Sequence, residues 1–337
     1  MKKQYIFKLK IQYKMFEFLK RQSFLLSSLI ILFQFNCEKS YSQSRKYFGQ
    51  FSHLKSYLNP SMGGYEGSSM RSFYRNQWAD FDGAPKTYLI SADLDFEEAK
   101  GTQNSDLVGK NGFSLNILVD SYGPFKENEI IIGYASRVRI SENANLRLGA
   151  AANINSHQLD GFNLTTEQSN DPIISPYQGR FSKMNFIDFN LGVALTSTDY
   201  FLSYSLNNVS QGKISSGDNF IGTRVPISIF HAGYRSKVAN NLSMSTSFLY
   251  RSQSNLPRNV EASAKFIYNE KFWVGAGHRF SYANNFQFGL LLSKLRVGYV
   301  YELPIGKTYL LPNPSHELML TLFLFKSDEE KNYSMIW

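Results

Sequence analysis

Apolar and polar residues alternate along most of the chain with a period of two, the spacing of a strand with one greasy and one wet face. In 87–95, Tyr88, Ile90, Ala92 and Leu94 fall on one side, and Thr87, Leu89, Ser91 and Asp93 on the other. In 112–120, Phe113, Leu115, Ile117 and Val119 oppose Gly112, Ser114, Asn116 and Asp120. The same alternation marks 69–78, 130–140, 146–154, 186–195, 199–207, 227–236, 242–251, 258–268, 271–281, 285–292, 295–302 and 315–325. These segments predict about fourteen strands, mostly joined by short turns such as Ser141-Glu142-Asn143 and Ala283-Asn284-Asn285. Longer polar connections fall at 96–110, 156–183 and 208–225. No stretch of comparable length repeats at 3.6 residues, and no linker divides the pattern.

The polar faces carry charges in mid-strand: Arg137, Arg139, Glu261, Lys265 and Arg296. In a sandwich core these would be buried without partners, at high cost. In a barrel they point into a wet or plugged lumen. Tyr250, Tyr268, Phe280 and Tyr301 near strand ends suit aromatic girdles, and strands of this length match a bilayer crossing. About fourteen strands also exceed one small sandwich. The expected fold is therefore all-β, a transmembrane outer-membrane β-barrel of about 14 antiparallel strands. The alternative is a large exported soluble β-protein, which lysis would release into the aqueous fraction.

Composition agrees: 28 Phe and 21 Tyr among 337 residues favour strands. A mean hydropathy of −0.29 excludes a polytopic helical membrane protein. The single cysteine excludes a disulfide scaffold and a Cys-based zinc site. The net charge of +9 is not spread evenly. Residues 1–42 hold eight Lys or Arg and two acids, so +6 lies there and +3 elsewhere. A nucleic-acid surface loses its support, and no nucleic-acid partner is expected.

That basic stretch reads as an export signal. Lys20 and Arg21 precede the apolar run Phe24–Phe35, and Ser40-Tyr41-Ser42 places small residues before a cut after Ser42. The expected organisation is a signal peptide over 1–42, with Met15 an alternative start. A plug or periplasmic-mouth segment follows over 43–66, then the barrel over 67–325 and a tail over 326–337. A lipid anchor on Cys37 is the rival, but Phe33 to Asn36 lack the small residues lipidation prefers.

Candidate chemistry is sparse. His53, His157, His231, His278 and His316 form no metal-binding spacing. Asp93, Asp95, Glu97 and Glu98 resemble the start of a calcium loop, yet Glu98 stands where an EF-hand needs glycine. A strand running into an acidic loop explains them better. No nucleophile elbow or phosphate loop is present. Neither catalysis nor a cofactor is expected.

The distinctive segments lie outside the alternation. In order they are Gln50-Phe51-Ser52, Leu58-Asn59-Pro60, Tyr74-Arg75-Asn76-Gln77-Trp78, Gly83-Ala84-Pro85-Lys86-Thr87, Gly123-Pro124-Phe125, Lys271-Phe272-Trp273-Val274-Gly275 and Ser315-His316-Glu317. Together they resemble the PorP/SprF family of type IX secretion system outer-membrane proteins of Bacteroidetes. Two departures stand out: Ser61-Met62-Gly63-Gly64 replaces the family's usual run after the proline, and the chain extends past the family's usual end.

The resemblance implies a non-catalytic barrel in the cell outer membrane. Its role would be to assist secretion or surface anchoring of adhesin-like cargo, or to link the translocon to periplasmic partners. Implied partners are type IX components, a secreted surface protein with a C-terminal sorting domain, and outer-membrane lipid. The barrel pattern alone equally allows a channel for solutes or hydrophobic compounds. Asn59 and Pro60 form a turn with fixed φ at the plug. Tyr74, Arg75, Asn76 and Trp78 offer a set suited to a plug or partner strand, with an interfacial girdle as the equal alternative.

Overall fold

A computed structural model describes residues 46–101, 110–164, 171–172, 174–222, 224–305 and 313–325. The expected signal peptide, its cleavage point, the first residues of the plug segment and the tail lie outside the described residues.

Among the described residues fifteen strands follow in chain order: β1 Ser69–Asn76, β2 Lys86–Asp95, β3 Asn111–Tyr122, β4 Phe125–Ser141, β5 Ala144–Asp160, β6 Phe181–Thr196, β7 Tyr200–Asn207, β8 Ile214–Gly217, β9 Ile227–Ala239, β10 Leu242–Gln253, β11 Leu256–Tyr268, β12 Phe272–Arg279, β13 Ala283–Leu291, β14 Leu295–Pro304 and β15 Ser315–Phe323. Each of the fourteen long ones pairs antiparallel with its chain neighbour, β7 passing over β8 to β9. The circle closes where β1 pairs with β15, from Ser69 opposite Phe323 to Asn76 opposite His316. Among the described residues closure leaves one strand edge unpaired, that of β8 away from β6, and a spanning sheet must close in this way in lipid.

The period-two pattern sorts the faces as the sequence predicts. Tyr88, Ile90, Ile132, Phe189, Phe288 and Leu318 stand exposed on the outside. In water so broad an apolar belt would be an aggregation hazard; in a bilayer it is the lipid-facing wall. Ser91, Asn116, Asn190, Glu261, Lys265 and Arg296 are buried on the inside.

Two expectations need correction. Strands β4 and β5 run 17 residues each, longer than a crossing requires, because the alternation continues through polar residues at Lys126–Glu129 and Asn155–Gln158. They project beyond the membrane. Arg139 is exposed near the β4–β5 turn, where it donates to the carbonyls of Ser141 and Glu142, and so does not fill the lumen.

One end of the barrel carries five tight turns, at 141–144, 196–200, 239–242, 268–272 and 291–295, and a single long connection, 95–111. The other carries four long connections, 76–86, 160–181, 207–227 and 304–315, besides the tight turns 122–125, 253–256 and 279–283. In barrels of this kind short turns face the periplasm and long loops the exterior. Ser69 and Phe323 are both at the short-turn end.

Candidate functional site: a plugged lumen and its surface cavity

Residues 46–67 occupy the interior of the ring. They are built from tight turns: a 3₁₀ turn at Phe51–His53, a single helical turn α1 at Lys55–Leu58, and another 3₁₀ turn at Pro60–Met62. Their apolar residues meet the few apolar positions on the inner face. Phe48 and Leu54 pack with Phe73, Leu89, Leu118 and Met319. Phe51 and Leu58 pack with Ile229 and Leu249, and Met62 with Ala194 and Phe201.

Polar contacts fasten the segment along its length. At the long-loop end, Lys46 Nζ donates to Glu127 at 2.6 Å and Glu129 at 3.1 Å, and the Lys46 carbonyl accepts from Arg251 at 3.1 Å. Glu317 accepts from the backbone N–H groups of Gly49 at 2.8 Å and Gln50 at 3.1 Å. Lys265 Nζ donates to Ser52 Oγ at 2.7 Å and lies 2.8 Å from the His53 ring, with Arg296 on its other nitrogen at 3.3 Å. Glu66 pairs with Lys55 at 2.5 Å and Arg71 at 2.9 Å, and Arg71 also reaches Asp93. Arg147 closes the short-turn end by donating to the Ser61 carbonyl at 2.8 Å and the Gly63 carbonyl at 2.7 Å. Buried charges are tolerable only when paired in this way.

The inner wall makes room for the second turn by giving up side chains. A Cβ on Gly192 would meet Asn59 Oδ1, and one on Gly149 would meet the backbone of Pro60 and Ser61. Glycine here permits close backbone approach.

Of the residues singled out in the sequence, the lumen brings together three. Asn59 donates to the carbonyls of Val193 at 3.4 Å and Tyr204 at 3.1 Å, and its Oδ1 accepts from Ser61 N–H at 2.9 Å. Pro60 is buried beside it. Arg75 is buried and pairs with Glu302 at 2.7 Å and with Glu317. Tyr74 and Asn76 fall on the outer face by strand alternation, Tyr74 with its ring 4.9 Å from that of Tyr88. Trp78 lies in the following connection with φ of 52°, its N–H donating to Ser315 Oγ at 3.1 Å. Asp95 of the acidic run caps the short helix α2, Phe96–Ala99, accepting from the N–H groups of Glu97 and Glu98.

Sequence reasoning missed Glu302, Glu317, Glu127, Glu129, Lys46 and Arg147 as fastening residues. For the five on strands the available signal was a charge at an inward position of an alternating strand, the argument that did single out Lys265 and Arg296; Lys46, which precedes the first strand, carried no such signal.

Above the segment, at the long-loop end, is a cavity of about 310 Å³. Lys46, Tyr57, Glu129, Asn153, Arg224 and Arg251 are among its lining residues. Tyr57 Oη and Asn153 Nδ2 both donate to Glu129, at 2.9 and 2.8 Å.

Comparison with known proteins gives the following. Among solved structures, the chain is similar to the CymD monoaromatic hydrocarbon channel at 9% identity, covering 81% of this chain and 93% of that one with a TM-score of 0.47. It is similar to the P. putida toluene transporter TodX at 9% identity, covering 80% and 93% with a TM-score of 0.44. The Acinetobacter baumannii outer membrane protein Omp33 is similar at 8% identity, covering 76% and 96% with a TM-score of 0.43. No curated protein sequence matches. The family described as type IX secretion system membrane protein PorP/SprF matches residues 40–322, which takes in the luminal segment and all fourteen strands of the ring. A closed barrel with an apolar outer belt places such a protein in the outer membrane, crossed by many strands. On the extent of that match, the chain belongs to the PorP/SprF family of type IX secretion system membrane proteins.

Proposed function

We propose that the protein is a non-catalytic partner barrel of type IX secretion, which holds or presents a secreted surface protein at the outer membrane and does not conduct solutes. The observation that carries this reading is the filled lumen. Segment 46–67 packs apolar residues against β1, β2, β3, β7, β9, β10 and β15 and ties its polar groups to inner-face charges. A barrel that spends its interior on its own chain has little bore left for a substrate. What it offers outward is a surface: long connections at one end and a wall embedded in lipid.

Three measurements test the reading. Affinity purification of the tagged protein from outer membranes is expected to recover a surface protein bearing a C-terminal sorting domain, or type IX components. Purified protein in planar bilayers is expected to be electrically silent. Recovery of the barrel alone, together with steady ion conductance, would overturn the proposal in favour of a channel. So would deletion of the gene with every surface-exposed type IX substrate still in place.

A further inference from the structure

Strand β8 interrupts the ring. Met184–Ile187 of β6 pair with β8, whereas Leu191–Thr196 of the same strand pair with β7. β7 ends at Asn207, opposite Ile227 of β9, and Pro226 just before it has no N–H to extend a ladder. Beyond that level β8 is hydrogen-bonded on one side only, and among the described residues no strand pairs with its other edge. All four of its residues are exposed. The turn that presents it is fixed rather than loose. Asp188 accepts from the N–H groups of Ser210 at 2.8 Å and Gly212 at 2.9 Å, and from Ser210 Oγ at 2.7 Å.

The connection that leaves β8 also walls the surface cavity, supplying Ile221, Arg224 and Val225 to it. Polar atoms with no hydrogen-bond partner collect there: Asn153 Oδ1, Asn207 Oδ1 and Arg224 Nη1. Asn153 is only 2% exposed, so its idle acceptor is not simply hydrated at the surface. The nearest carboxylate to Arg224 is Glu129 at 4.0 Å, already accepting from Lys46, Tyr57 and Asn153. The cavity thus holds, among Lys46, Glu127, Glu129 and Arg251, a guanidinium whose Nη1 has no hydrogen-bond partner and whose one near carboxylate is already shared, beside the connection that leaves the free edge of β8.

We infer that β8 and this cavity form one docking site for an extended, acid-bearing segment of a partner polypeptide at the cell surface. The segment's backbone adds to the free edge of β8, and an acidic side chain enters the cavity to meet Arg224. Strand addition supplies affinity through main-chain hydrogen bonds, and the pocket beside the edge supplies selectivity. This inference rests on the secretion-partner reading and gives it a location.

The test uses the full-length protein in its own outer membrane, with a photo-crosslinking side chain in place of Ser216 and a matched control in place of the lipid-facing Leu290. Light is expected to join position 216, and not 290, to a segment of the co-purifying surface protein that carries Asp or Glu. Arg224→Glu is expected to cut that adduct about tenfold while Arg224→Lys largely retains it, as the loss and retention of one charge-assisted contact predict. If the surface protein still co-purifies but position 216 gives no adduct, the docking site is wrong and the secretion reading stands. An adduct to a second copy, to residues 43–45 of the same chain, or one indifferent to Arg224→Glu overturns the site as well. If no surface protein co-purifies at all, both readings fall together.

Discussion

Replacing Arg75 by Met tests whether the luminal segment is held by charge pairing. Methionine keeps an unbranched apolar stem in place of the arginine's and loses the guanidinium. In the native protein two guanidiniums, Arg75 and Arg279, face three carboxylates, Glu261, Glu302 and Glu317. Glu302 keeps Arg279 after the change, at 3.1 Å. Glu317 is fully buried and keeps only the two N–H groups of Gly49 and Gln50. Stripping one partner from a buried pair costs about 3–5 kcal/mol. The two remaining amide bonds hold the loss toward the lower figure, so Arg75→Met is expected to destabilise by about 3 kcal/mol. Adding Glu317→Gln removes the stranded charge and is expected to recover about 2 kcal/mol of that. The assay is urea-induced unfolding of the barrel in lipid vesicles, with protease cleavage near Lys46 and Lys55 as a second readout of segment release. If the single variant is as stable as the parent, or the double variant falls further than the single, the charge-pairing account of the lumen is refuted.

Other substitutions probe the same interior. Gly192→Val places a side chain against Asn59 Oδ1 and is expected to displace the segment; single-channel recording should then show conductance where the parent shows none. Deleting residues 46–66 is expected to give the same conductance, and a silent deletion variant would mean that the wall itself collapses. Trp273, buried against Gly289 and Gly298, is expected to cost about 3–5 kcal/mol when changed to Ala, measured by the same unfolding assay. Arg147→Ala leaves the carbonyls of Ser61 and Gly63 without their donor and is expected to cost about 2–3 kcal/mol, with cleavage rising at the short-turn end of the segment.

The architecture was legible because alternation is a local property: each of the fourteen strands announces itself within ten residues. Facing was legible by the same rule, which also separates Arg75 from Tyr74 and Asn76; grouping all three as one surface ran against it. β8 was hidden because Ile214-Ser215-Ser216-Gly217 is too short to alternate and sits inside a polar connection. The lumen was only half legible. That Lys265 and Arg296 point inward follows from parity, but that they flank His53 of the luminal segment depends on contacts more than 200 residues apart. Nothing in a single sequence records such pairings. The glycines at 149 and 192 read as weak strand positions until the turn at Asn59–Ser61 is seen lying against them.

The direction of the luminal segment bears on the order of assembly. Lys46 lies at the long-loop end and Gly67 at the other, so the chain crosses the whole bore before β1 begins. Its amide groups at 49 and 50 bond to Glu317, among the last strand's residues, separations of 268 and 267 positions. The fastening at 49 and 50 must therefore wait until nearly all of the chain has been delivered, long after Lys46 and Glu66 can find Glu127 and Arg71. The zipper of β1 onto β15 then has to draw shut around a peptide already lying in place. A chain stalled just before β15 could hold both ends of the segment through β4 and β5 but not its turn at 49 and 50, so the final strand acts as both the clasp of the wall and the last latch of its contents.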